Sequence, residues 1–248
     1  MKNLLLASVG IAVLALSGAA SAADLSRAAP VYKGAAPAVS VYNWTGCYVG
    51  GNIGGMWVKK DWSYQTAGRN FGLSDGSNEP NGFMGGGQIG CDYQFAGGFV
   101  VGIAGDYDWA NASASHTSVL FPLYTDNSKV DSLASVTGRV GYAWDRFLGY
   151  VKGGGAWERD VFSYTGPTTA STSETRSGWT VGIGGEYAFT NFLSGFAEYD
   201  FYDFGDRNVV LVDNRAGPFT YGIKETKSVV KVGLNFRWGG AGPVVARY

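Results

Sequence analysis

From Asn43 to Trp238 apolar residues recur at every second position, in runs separated by polar segments. A period of two marks strands, because successive side chains point to opposite faces of the sheet. The first run places Val49, Gly51, Ile53, Gly55 and Trp57 on one face and Tyr48, Gly50, Asn52 and Gly54 on the other. Runs of the same kind cover 83–95, 99–110, 130–144, 147–162, 177–189, 192–204 and 224–238. The pattern predicts eight strands, each longer than the usual ~5–6 residues and long enough to cross a bilayer at a tilt, which takes about 9–11.

The connections alternate. Ala96-Gly97-Gly98, Asp145-Arg146 and Thr190-Asn191 are short, whereas 61–81, 113–128, 163–175 and 206–223 are long and rich in Ser, Thr, Asn, Asp and Gly. Antiparallel neighbours joined this way put every long loop at one end and every short turn at the other, as in outer-membrane barrels. An even strand number brings both chain ends to the short-turn side.

The two faces differ in kind. One carries Phe99, Val101, Ile103, Tyr107, Trp109, Val136, Val140, Tyr142, Trp144, Trp179, Val181, Ile183, Tyr187, Phe189, Val230, Val232, Leu234, Phe236 and Trp238, without a charge. Aromatics gather near its strand ends, where girdles meet lipid headgroups. The other face carries Gln88, Asp92, Asp106, Asp108, Arg139, Lys152, Glu158, Glu186, Glu198, Asp200, Lys231, Asn235 and Arg237, with glycine at many remaining places. The expected fold is therefore all-β: an eight-stranded antiparallel up-and-down transmembrane β-barrel, apolar outside and polar inside. Eight strands enclose a space that side chains can fill.

Composition supports this reading. Glycine supplies 39 of 248 residues, aromatics 15% and charged residues only 16%; glycine costs a helix about 1 kcal/mol per position. A net charge of −1 offers no polycationic surface for nucleic acid. One histidine and two cysteines leave little material for zinc sites or histidine catalysis.

The ends lie outside the pattern. Lys2, an apolar run from Leu4 to Leu16 and Ala20-Ser21-Ala22 make residues 1–22 a signal peptide, with the mature chain beginning at Ala23. Residues 23–42 read as an Ala/Pro-rich periplasmic linker, 43–238 as the barrel and 239–248 as a C-terminal tail.

The segment Tyr42-Asn43-Trp44-Thr45-Gly46-Cys47-Tyr48-Val49-Gly50-Gly51-Asn52-Ile53-Gly54 is joined by Gly85-Gly86-Gly87-Gln88-Ile89-Gly90, Val136-Thr137-Gly138-Arg139-Val140-Gly141-Tyr142-Ala143, Ala197-Glu198-Tyr199 and Val232-Gly233-Leu234-Asn235-Phe236-Arg237. Together these resemble the small porin-like outer-membrane β-barrel family of alphaproteobacteria, related to the OmpA membrane domain, over the whole mature chain. The resemblance implies an outer-membrane location and an envelope role without an enzymatic activity or cofactor. It also implies contact with outer-membrane lipid and lipopolysaccharide, with the barrel-assembly machinery and, in some members, with surface partners. Such chains usually end at the aromatic residue closing the last strand; here Gly239 to Tyr248 follow, leaving Phe236/Trp238 or Tyr248 as the assembly signal. A monomer is expected.

Gly85-x-Gly87-x-x-Gly90 matches a dinucleotide-binding fingerprint in letters, but it lies within a strand pattern with no helix after it. Glycine there lets side chains from across the lumen approach the wall. Cys47 and Cys91 mirror each other about a loop centred near residue 70, so a disulfide between the first two strands is expected. His116 reads as a solvated loop side chain. The Asn43 and Asn111 sequons carry little meaning in a bacterial chain.

Folding each hairpin about its loop centre sets Lys152 opposite Glu186 and Glu198 opposite Lys231, and turns Arg139 toward Asp106 or Asp108. These seven form the expected structural charge network of the lumen. The leading functional reading is a structural barrel with a side-chain-plugged lumen and long surface loops. A passive small-solute channel is the alternative. A lipid-modifying barrel enzyme has only His116 as a base, and a soluble lipocalin-like carrier would need the apolar face turned inward.

Overall fold

The computed structural model describes residues 42–120, 122–165, 169–213 and 217–239. The expected signal peptide, nearly all of the linker, and the tail beyond Gly239 lie outside them. The described residues contain strands and no helix: β1 (Gly46–Tyr64), β2 (Ser74–Asn78), β3 (Asn81–Gln94), β4 (Phe99–Thr117), β5 (Thr125–Trp144), β6 (Phe147–Thr165), β7 (Thr169–Ala188), β8 (Leu193–Asp213) and β9 (Gly217–Trp238). All neighbours are antiparallel, and β1 pairs with β9 along Cys47↔Trp238 to Tyr64↔Tyr221, which closes the sheet into a barrel.

Nine strands make eight staves. Lys60 faces Asn78 in β2 and Trp57 faces Asn81 in β3, so one register runs through both. The break falls at Glu79-Pro80, where proline has no N–H for the ladder; the Pro80 carbonyl still accepts a hydrogen bond from the Val58 amide at 3.0 Å.

The long connections are shorter than their composition implies. Strands continue through most of 113–128, 163–175 and 206–223, and through the two ends of 61–81. Ser113, Ser115, Thr117, Ser171, Ser173 and Thr175 face water on an outer wall that extends beyond the apolar belt, whereas Asn78, Ser118 and Ser128 are buried. The changeover is sharp: Trp57, Trp109 and Trp157 point outward, and the next outward residues are Lys59, Asn111 and Arg159, all exposed. Below this line the outer wall is apolar and ends in Phe95, Phe99, Tyr142, Trp144, Phe147, Tyr187, Phe189, Phe192, Phe236 and Trp238.

At the short-turn end, Gly97 (φ 93°) and Gly98 (φ 90°) adopt left-handed backbone that favours glycine, and Asp145 (φ 54°) does so in the two-residue turn before Arg146. The disulfide Cys47–Cys91 joins directly opposed residues of β1 and β3 on the outward-facing wall.

Candidate functional site

The inward face is the candidate site, and it is arranged in layers. Nearest the short turns, Asp92 of β3, Arg139 of β5, Glu186 of β7 and Arg237 of β9 form a closed ring of alternating charge from every second stave. Arg139 grips Asp92 with two nitrogens, Nε at 2.7 Å and Nη2, and reaches Glu186 at 3.3 Å. Arg237 reaches Glu186 at 3.0 Å and Asp92 at 2.8 Å. Ser194 and Asn235 donate to Glu186 Oε1 at 2.6 and 2.8 Å. The faces of the Tyr48 and Tyr150 rings pack against Arg139, and those of Trp44 and Tyr48 against Arg237. All four charged residues are buried. Guanidinium suits this place, since its planar fork serves two carboxylates at once.

The next layer holds Lys152, which pairs with Glu198 and lies 3.2 Å from Asp200. Tyr150 donates its hydroxyl proton to Glu198 at 2.8 Å. Lys231 stands opposite Glu198 in the β8–β9 ladder and sits 3.3–3.7 Å from Asp106, Asp108, Glu198 and Asp200. Ser135 donates to Asp106 at 2.7 Å.

Two sequence-based pairings are corrected here. Lys152 faces Gly182, not Glu186, because the β6–β7 ladder runs in the register that sets Thr165 opposite Thr169. The Ser/Thr run to Thr175 pulls a composition-based loop centre toward the C-terminus, although those residues open β7. Arg139 meets Asp92 and Glu186 rather than Asp106 or Asp108, which belong to Lys231.

Glycine serves the acids in a different way from that expected. Asp92, Asp108 and Asp200 stand directly opposite Gly102, Gly86 and Gly182 on neighbouring staves. A Cβ at any of these glycines would strike the aspartate carboxylate. Each glycine gives a neighbouring acid room to lie along the wall, rather than admitting a chain from across the lumen.

Above the acids comes an apolar layer of Met56, Val58, Met84, Ala112, Val130, Leu133, Ala156, Tyr202, Phe204 and Val229. Another charged layer follows. Lys60 contacts Asp160 at 2.8 Å and Glu225 at 3.2 Å, Arg176 contacts Glu225 at 2.8 Å, and Lys227 contacts Glu158 and, at 3.1 Å, Glu225. The oxygens of Glu158, Asp160 and Glu225 approach within 4.8 Å of one another. Three acids meet three bases, so the charge that a cation would need is already balanced.

At the top, Trp62, Tyr64, Phe162, Val209, Tyr221 and Ile223 pack together. Beside them the buried Asp75 carboxylate accepts from the Ser118 hydroxyl at 2.7 Å and the Leu120 amide at 2.7 Å, tying the first two outer hairpins together. His116 is not solvated. It lies in β4, 3.3 Å from the Asp75 carbonyl, 3.6 Å from Asp126, and against the Trp62 ring. Asp126, well outside the apolar belt, has its carboxyl pushed up to about 7 by burial and then by the nearby Asp75 charge.

The seven residues expected in the lumen all face it. The sequence reading did not place Asp92 and Arg237 in the network, although parity alone puts both inside. It also left Asp200 and Glu158, which it placed on the polar face, without partners, and it did not assign Lys60, Asp160, Arg176, Glu225 and Lys227 of the outer layer, whose contacts join staves that are not neighbours in the sheet.

A family model described as outer membrane protein beta-barrel domain matches residues 11–236. The 31 kDa outer-membrane immunogenic protein of Brucella melitensis biotype 1 is 33% identical over 251 residues, covering 96% of this chain and 100% of that protein. The 25 kDa outer-membrane immunogenic protein of Brucella abortus biovar 1 is 27% identical over 240 residues, covering 96% and 99%. Among solved structures, the outer membrane protease OmpT from Escherichia coli is similar with a TM-score of 0.50 and 10% identity, covering 79% of this chain and 98% of that one. At that identity the likeness is one of fold alone.

Proposed function

The chain belongs to the outer-membrane β-barrel family, and from that premise we propose that it is a structural barrel whose lumen is filled by its own side chains. It resides in the bacterial outer membrane. Its apolar belt meets outer-membrane lipid, with lipopolysaccharide in the outer leaflet, and its long outer hairpins offer surface for partners. The name of the Brucella relatives, outer-membrane immunogenic protein, fits such exposure of those hairpins. The reading is non-enzymatic.

One observation carries the closed lumen: the ring Asp92–Arg139–Glu186–Arg237 spans the bore from four alternate staves, with every member buried. Charges lining a wide aqueous channel keep part of their hydration. Here each guanidinium is satisfied by two carboxylates and by aromatic faces, which offsets the cost of leaving water. The test is conductance of the purified monomer in planar bilayers. The expected result is no steady step; a large, stable, ion-conducting step would replace this reading with that of a passive channel.

A further inference from the structure

The residues just before β1 do not leave the barrel at its rim. They turn across the short-turn mouth and bind to the far wall. The Tyr42 amide donates to Asp145 Oδ1 at 2.9 Å, and the Trp44 indole N–H donates to the Asp145 carbonyl at 3.0 Å. Asp145 lies in the β5–β6 turn. In the stave order β1-β3-β4-β5-β6-β7-β8-β9 that turn is diametrically opposite β1. The crossing is fastened along its length. The Trp44 amide donates to Gln94 Oε1 at 2.7 Å, Arg146 packs over the Tyr42 ring, and Arg237 packs over the Trp44 ring and donates to its carbonyl at 3.3 Å. Trp44 is fully buried, in one cluster with Val100, Ala143, Leu148, Tyr150 and Ala188.

We propose that Tyr42-Asn43-Trp44 is a strap that locks the barrel after closure, with Asp145 as its latch. Its anchors come from β3, the β5–β6 turn and β9, and β9 is the partner of β1 at the closing seam. No such binding place exists until the first and last staves have met. The strap therefore forms late, and it holds the seam against reopening by tying both of its strands to the opposite wall. In outer-membrane barrels the short turns face the periplasm, so the strap also covers the periplasmic mouth. This goes beyond the closed-lumen reading, since a conducting barrel could be locked in the same way.

A contact formed after the rate-limiting step of folding changes the unfolding rate and leaves the folding rate alone. Asp145→Gly removes the carboxylate while tolerating the left-handed backbone, and Asp145→Asn keeps both an acceptor and that conformation. In lipid vesicles, Asp145→Gly is expected to unfold in urea about 5- to 10-fold faster, the scale of one lost hydrogen bond, with its insertion and folding rate unchanged. Asp145→Asn is expected to restore wild-type unfolding. A second readout is Ala188→Cys, a buried thiol beneath the strap in a protein whose two native cysteines are bonded to each other. It should resist a membrane-impermeant alkylating reagent in otherwise wild-type protein and react once Asp145→Gly is added. The proposal is overturned if Asp145→Gly slows folding without speeding unfolding, if it changes neither rate, or if Ala188→Cys reacts equally with and without it. Appearance or absence of conductance does not bear on it.

Discussion

The inner and outer halves of the barrel solve the same problem beside different solvents. The inner charge ring is surrounded by lipid, and the outer charged layer of Lys60, Glu158, Asp160, Arg176, Glu225 and Lys227 is surrounded by water. Both layers are buried and both balance their charge. The chemistry differs. The inner ring uses two arginines, each bridging two acids on alternate staves, whereas the outer layer relies on two lysines and one arginine from β1, β7 and β9 facing acids of β6 and β9. Interior pairing is thus set by the enclosed bore rather than by what lies outside it, and it continues beyond the bilayer. What lipid changes is the wall. Backbone hydrogen bonds in hydrocarbon have no water to replace them, so the inner half can open only by losing the whole barrel. The outer half can fray stave by stave.

That contrast predicts unequal consequences for equally buried glutamates. Glu186→Ala leaves two guanidinium groups short of an acceptor and is expected to destabilise the whole barrel by about 3–5 kcal/mol, read as a shift of the urea midpoint in lipid vesicles. Glu225→Ala should loosen mainly the outer ends of β1, β6 and β9. Hydrogen exchange should quicken around 58–64 and 220–227 while the inner staves stay protected. Equal global losses in the two variants would erase the distinction.

A smaller effect separates charge from packing. Glu198→Ala strips Lys152 and Lys231 of one partner, whereas the double change Glu198→Leu with Lys231→Leu should cost more, because Lys231 is also the cation beside the buried Asp106 and Asp108. A double variant more stable than the single one would mean that Glu198 and Lys231 act as an isolated pair that apolar packing can replace.

Smaller still is the response of the outer tip to pH. Asp126 has a folded pKa of about 7 against an unfolded value of about 4. A carboxyl that holds its proton more tightly when folded stabilises at low pH, and that contribution fades as pH rises from about 4 to about 7. The groups facing it are Asp75, His116 and Tyr221. Protection factors of amides in 118–126, taken relative to the intrinsic exchange rate at each pH, should therefore be larger at pH 5 than at pH 8, and Asp126→Asn should flatten the difference. An unchanged pH dependence in that variant would assign the effect to another group.

Much of this was legible in the chain. Parity placed all seven expected charges inside, the mirrored cysteines gave the disulfide, and the fourth hairpin's centre set Glu198 opposite Lys231. Three things were not legible. The third hairpin's register depended on a Ser/Thr run that is strand rather than loop, because water on the outer wall selects the same residues as a loop does. The ring depended on how alternate staves are staggered around the bore, a relation between chain segments about fifty residues apart that local periodicity does not encode. The strap depended on Tyr42, read as the end of the linker, and on Trp44, whose partners at Gln94, Asp145 and Arg237 lie on chain segments far away in sequence.

The central claim, a bore closed by packed side chains, is tested most directly at its apolar layer. Ala156 is fully buried there, pointing inward, and the native cysteines are bonded to each other. Ala156→Cys therefore provides one free thiol within the bore. Exposed to a small, charged, membrane-impermeant thiol reagent from both sides of a lipid vesicle, the folded protein should remain unlabelled and should react fully after denaturation. Rapid labelling of the folded barrel would mean that water and solutes pass the apolar layer, and the lumen would be open.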